Sequence, residues 1–319
     1  MNKIAFIIPY FGHFNNYFQL YLNSCKYNEN IDWLIFTDDH NDYKYPSNVI
    51  VRYCTIKDIK ELVQKQFDFT ISLDYAYKLC DYRPAYGLIF SQFLEGYQFW
   101  GYCDSDLIWG RIDKFITNDI LDNYDKIGIY GHCTLFRNSA EINSFFKRPL
   151  NGIEVYKKVF TESWNHSFDE EFKDSINNIF EDNNKHIYYD LKIANIYMKS
   201  SDFRLVTLNA QKKYNVEKQK QAFFVWDKGK LSRYTKINGK LQSDSFAYIH
   251  MQSRPMKNHV SRDSSIYKII PNAFETLEVT NINAESFERV KIKHINLHYF
   301  RLRSKNLMVK IKRKIRKRK

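Results

Sequence analysis

Residues 97–112 read YQFWGYCDSDLIWGRI, and the fold turns on what flanks Asp104. The run QFWGYC is apolar, aromatic and of strand length, and it ends where two aspartates stand one residue apart. Upstream, KIAFIIP (3–9) is a short β-branched run closed by Pro9, and DWLIFTDD (32–39) and NVIVRYC (48–54) read as buried strands. Between the first two, residues 15–28 place Phe18, Tyr21, Leu22 and Cys25 at helical spacing behind Asn15 as a cap. Thr55 and Asp58 open a helix over 55–67 in the manner of a capping box, and 85–97 is again helical. Alternating strands and helices predict an α/β fold with a mostly parallel central sheet flanked by helices. Beyond residue 110 the pattern is less regular, with helices expected over 139–147, 152–160 and 168–182.

The chain has 319 residues, 44% hydrophobic and 17% aromatic, enough to bury one large core or two fused ones. Its formal charge of +13 points to nucleic acid until the distribution is considered: residues 289–319 hold fourteen lysines and arginines and no acid. The body is therefore close to neutral, and whatever the charge attracts is attracted at one end. Five cysteines (25, 54, 80, 103 and 133), widely spaced and without a CxxC pair, argue against a disulfide framework or a zinc site and fit a reducing cytosol. No apolar run approaches the ~18 residues that span a bilayer. The expectation is a chain that is soluble, or held on a membrane from outside.

Aspartates ending a strand of an open α/β sheet stand where such sheets bind ligands. Asp104 and Asp106 alternate, so both carboxylates can meet at one point while Ser105 faces elsewhere, and hard oxygens suit Mg²⁺ or Mn²⁺. The plainer alternative is a pair of turn aspartates capping the next helix. His250, after the strand-like FAYI, is an acceptable third ligand for Mn²⁺, and Arg254 and Lys257 follow within seven residues to neutralise a diphosphate. Lys78 and Arg83 flank Asp81 before the aspartate strand, either to bind a ligand or as an ion pair on a helix.

Four stretches, FIIPYFG with WLIFTDD, KLCDYRPAYGLIF, FWGYCDSDLIWG and YIHMQSRPMK, together resemble the GT-A class of nucleotide-sugar glycosyltransferases, in particular a bacterial group from polysaccharide biosynthesis. The likeness spans roughly residues 3–257. It implies a metal held by Asp104, Asp106 and His250 on the diphosphate of a UDP-sugar donor. Pro9, Tyr10, Phe11, Thr37 and Asp38 would lie around the uridine, with Tyr10 or Phe11 stacked on the ring. Lys78, Asp81, Arg83, Asp104, Ser105, Arg254 and Lys257 would complete the donor site. In SWNHSFDEEF (163–172), Asp169 or Glu170 is the candidate base for an acceptor hydroxyl, although acids in a helix's first turn would read the same way.

These readings divide the chain into a donor half (1–110), an acceptor half (111–285) and a basic tail (286–319). In a helix, the tail sets Leu297, Phe300, Met308, Ile311 and Ile315 on one side and cations on the other, the pattern of an interfacial helix on anionic lipid. A disordered tail or a nucleic-acid arm are the alternatives, and the neutral body offers the second no further basic surface. The expected function is transfer from a UDP-sugar to a growing, lipid-linked surface glycan such as capsule or O-antigen, on the inner face of the cell membrane. A catalytically dead GT-A domain is the rival, against which the intact Asp104, Asp106 and His250 argue.

Overall fold

The apolar runs of the first third pair side by side. In the computed structural model, Ile4–Tyr10 (β1), Ile31–Thr37 (β2), Val49–Tyr53 (β3) and Phe99–Cys103 (β4) form adjacent parallel strands, in the order β3-β2-β1-β4. Leu107–Trp109 (β5) then leaves for another sheet, while Lys126–Tyr130 (β6), Cys133–Arg137 (β7) and Ile187–Tyr188 (β8) complete this one as β4-β7-β6-β8, with only β7 antiparallel to its neighbours. Residues 4–8 are all buried, as a parallel strand covered on both faces requires. The helix Ile56–Gln64 carries the expected Thr55–Asp58 capping box and sends Ile59 and Val63 into the core.

Described are residues 3–208, 213–218, 221–279 and 281–316. The chain divides into two units, and these interleave where the sequence suggested consecutive parts ending at 110, 285 and 319. One comprises residues 1–14, 28–105 and 116–191, and the other 15–27, 106–115 and 192–319. The helix Phe18–Cys25 packs on β5 and so leaves the unit of its neighbours in sequence.

The second unit holds most of what the sequence left irregular. Ala194–Asn195 (β9) lies parallel to one edge of Tyr248–His250 (β15) and β5 antiparallel to the other, while Val206–Leu208 (β10) pairs with Tyr214–Val216 (β11). Ala222–Asp227 (β12), Lys230–Ile237 (β13), Lys240–Ser245 (β14), Lys257–Asn258 (β16), Ile266–Ile270 (β17) and Ala273–Glu275 (β18) form a six-stranded sheet. Two of its hairpins turn on Lys228-Gly229 and Asn238-Gly239, every one of the four at positive φ, the geometry of a type I′ turn. The helices Ala284–Ile292 and Leu297–Arg316 close the chain.

Several helices are shorter than their sequence pattern: 139–147 divides into Ala140–Asn143 and a 3₁₀ turn over Phe145–Lys147, and the helix expected over 152–160 runs Val155–Thr161. The 85–97 segment breaks into Tyr86–Ile89 and a single 3₁₀ turn over Ser91–Phe93. The expected helix over 168–182 begins only at Ile176: Asp174 sits at φ 63°, outside helical geometry, and Ser175 caps the helix with Asn178. Asp169, Glu170 and Glu171 therefore lie in a loop and not in a helix's first turn, which removes the macrodipole account of their charge.

Candidate metal centre

In the first unit the order of strands reverses between β1 and β4: β1 leads outward to β2 and β3, and β4 leads the other way. The carboxyl ends of such a strand pair are where open α/β sheets bind ligands, and they deliver Tyr10 to Gly12 from β1 and Asp104 from β4. The Asp104 N–H donates to His132 O (2.9 Å), which continues the β4–β7 ladder one residue past the strand. Arg83 then joins two carboxylates: its guanidinium lies 2.5 Å from Asp104 Oδ1 and 2.9 Å from Asp169 Oδ2, and it donates to Gly131 O at 2.6 Å. Asp169 is 1% exposed, and its Oδ1 accepts no hydrogen bond within the described residues. Burial pushes the Asp169 carboxyl up to about 7 against the pull of Arg83, with Glu170 adding to the rise. Glu170, half-buried, is likewise raised to about 7 by burial and then by Glu171, while the Gly131 N–H donates to its Oε2 at 3.2 Å. Gly131 is required here, because a Cβ would stand 2.6 Å from the Glu170 carboxyl and 2.9 Å from Asp169 Oδ2.

Lys78 and Asp81 have a different place from the donor contact expected of them. Both are fully buried, 2.8 Å apart, and turned inward. Lys78 also donates to Val159 O and Trp164 O, and Asp81 accepts from the His166 and Phe168 N–H groups. The ion-pair alternative holds, in a stronger form: the pair pins the loop that presents Asp169. At the end of β2, Thr37 is buried with its hydroxyl accepting from Asp39 N, and Asp38 accepts from Gly12 N at 2.7 Å. The buried Asp39, unassigned by the sequence, holds the β1 loop through Phe14 N (3.0 Å). Burial would raise its carboxyl, but hydrogen bonds from Phe14, Asn41, His13 and Tyr43 lower it on balance. Tyr10 stacks on Phe14 (4.3 Å between centroids) and donates to His13 O, while Phe11 leans on the core and Pro9 is half-buried. Ser105 is buried.

The second unit carries the other half of the motif. Antiparallel pairing of β5 with β15 sets His250 opposite Leu107, and Met251 N–H donates to Asp106 O, so the register itself brings His250 beside Asp106. Asp106 Oδ2 accepts from Ser253 N–H at 2.6 Å. Its Oδ1 lies 3.3 Å from His250 Nε2. On the far side of the ring, Nδ1 is 3.1 Å from Asn195 Oδ1, an oxygen that also accepts from Gln252 Nε2 at 2.8 Å. A proton on Nδ1 would satisfy that contact and keep Nε2 as the ligating nitrogen when a metal binds. Burial works to raise the Asp106 carboxyl, and the His250 ring and Ser253 N–H outweigh it and hold it low.

Asp104 stands two residues from Asp106, so their Cα atoms are within about 7 Å by chain length alone. Asp104, Asp106 and His250 thus group as three potential ligands of one metal ion. The donor set fits a hard divalent cation, and the imidazole favours Mn²⁺ over Mg²⁺. Arg254, expected at a diphosphate, is buried and stapled to Pro271 O (3.0 Å) and Ser200 O (2.6 Å), its guanidinium over Phe203; burial lowers it to about 10. It holds the 253–257 turn together. Lys257, on β16, is exposed. Asn195 had no signal in the sequence: it lies 55 residues from the histidine it orients.

Residues 6–278 match DUF6625, described as a family of unknown function. No curated protein matches the chain.

Proposed function

We propose that this chain, which belongs to the DUF6625 family, is a metal-dependent glycosyltransferase of GT-A type that draws on a UDP-sugar and transfers the sugar to a glycan hydroxyl. The observation that carries the reading is the Asp106–His250 pair: a buried carboxylate oxygen and an imidazole nitrogen face each other at 3.3 Å, with Ser253 N–H and Asn195 fixing both from behind. A carboxylate and an imidazole fixed in this way are two ready ligands for a divalent cation. Asp104, tethered two residues away at the carboxyl end of β4, supplies the third ligand.

When bound, Mn²⁺ or Mg²⁺ would offset charge on the donor diphosphate and ease its departure. The chain's own residues do the rest. Arg83 fixes the Asp104 carboxylate and, through its other nitrogen, Asp169. Glu170, half-buried and raised to about 7, is the group placed to take a proton from an acceptor hydroxyl near neutrality. Asp169, nearly inaccessible, is a positioning residue that holds Arg83. Tyr10 to Gly12 and Asp38 border the same strand ends and would frame the nucleoside. Lys78, Asp81 and Arg254 contribute through the loops they pin.

A donor-hydrolysis screen over UDP-, GDP- and CMP-sugars with and without Mn²⁺ tests this. Turnover of a UDP-sugar that needs the metal, with Glu170→Gln keeping UDP binding and losing turnover at least tenfold, supports the reading. Absence of metal-dependent nucleotide binding across the panel would refute it.

A further inference from the structure

The helix Leu297–Arg316 packs on its unit through its first half, where Tyr299 and Leu302 are buried and Asn306 is half-buried. Tyr299 and Leu302 are 8% and 7% exposed, Tyr299 OH donates to Asp202 Oδ1 at 3.1 Å, and His298 Nε2 lies 3.2 Å from Pro255 O. At 3.6 residues per turn these two buried residues define one face. Leu297, Phe300, Leu307, Met308, Ile311 and Ile315 fall on the opposite face, and all six are exposed, Phe300 and Met308 at 56% each. Cations border this stripe on both sides: Arg301, Lys305 and Lys312 along one flank, Arg303, Lys310 and Lys314 along the other, all exposed. No acid occurs from residue 289 onward. Among the described residues no helix is long and apolar enough to cross a membrane.

We propose that this outward face docks flat on the surface of a bilayer containing anionic lipid. The stripe would enter the boundary between headgroups and acyl chains, and the flanking cations would meet the headgroups. Charge complementarity selects this occupant. A second copy of the helix would bring two cation rows together, and a nucleic acid would leave the apolar stripe in water. The inference stands apart from the donor chemistry and holds whether or not the chain transfers sugar.

Sedimentation of the full chain with vesicles of neutral phosphatidylcholine, or of phosphatidylcholine with one-third phosphatidylglycerol, reads it directly. The expected result is binding to the anionic vesicles at least tenfold stronger than to the neutral ones, only partly lost in molar salt because the apolar contact is not screened. Met308→Glu with Ile311→Glu, exposed positions whose change leaves Tyr299 and Leu302 in place, should lose at least tenfold and all of the salt-resistant part. Lys310→Gln, Lys312→Gln and Lys314→Gln together should lose mainly the salt-sensitive part. Wild-type binding by the glutamate variant would overturn the proposal. So would equal affinity for neutral vesicles, preferential binding of double-stranded DNA over anionic vesicles, or a dimer that the glutamate pair dissolves.

Discussion

Replacing Arg83 by methionine keeps most of the side chain's volume and removes a charge that lies between two carboxylates. Asp169 would then sit 1% exposed with Glu170 beside it and no cation. Breaking a buried ion pair from one side costs about 3–5 kcal/mol, most of it the uncompensated charge left behind. Part of that cost can be escaped by protonation. Asp169 titrates at about 7 with Arg83 present, and losing the cation raises it further. Its folded value then exceeds its unfolded one by a wider margin, so the native state binds more protons and stability is lost as pH rises from about 4 through the folded value. The variant should therefore be close to wild type at pH 5 and several kcal/mol weaker at pH 8, measured by urea denaturation. Asp169→Asn removes the same problem from the other side, so the double variant should be more stable than the sum of the two singles by at least about 1.5 kcal/mol. Additivity within about 0.5 kcal/mol, or a loss independent of pH, would refute the claim that Arg83 is there to neutralise these carboxylates.

Gly131→Ala puts a methyl 2.6 Å from the Glu170 carboxyl; it should cost about 1–3 kcal/mol of stability and reduce turnover while leaving nucleotide affinity unchanged, as calorimetry beside steady-state kinetics would record. Lys126, buried between Gly128 O and Asn177 Oδ1, is lowered by burial to about 7. The unfolded chain thus holds the extra proton between pH 7 and about 10, so stability should rise with pH across that window by up to about 1.4 kcal/mol per unit, and Lys126→Met should flatten the slope.

Much of this was legible in the sequence. Strands of the first unit announce themselves because a parallel sheet buried on both faces demands continuous apolar runs, as in residues 4–8, and the Thr55–Asp58 box marks its helix by local chemistry. The second unit's sheet was passed over, although Asn238-Gly239 is a strong hairpin signal; its strands carry Lys, Arg and Ser between apolar residues and look like loop. Lys78, Asp81 and Arg254 were misplaced for a general reason. Residue type shows that a charge must be satisfied, but only the fold shows whether a ligand or the chain's own carbonyls do it. Asn195 could not be read at all, since its role exists only once β9 lies beside β15.

The most direct test of the central claim is Mn²⁺ binding by calorimetry, in the presence of UDP, for the wild type, Asp106→Asn, His250→Ala and Asn195→Ala. The metal reading predicts that Asp106→Asn removes metal-dependent UDP binding, that His250→Ala weakens it, and that Asn195→Ala costs about 10-fold or more by freeing the ring. Unchanged Mn²⁺-dependent UDP affinity in the Asp106 variant would contradict it.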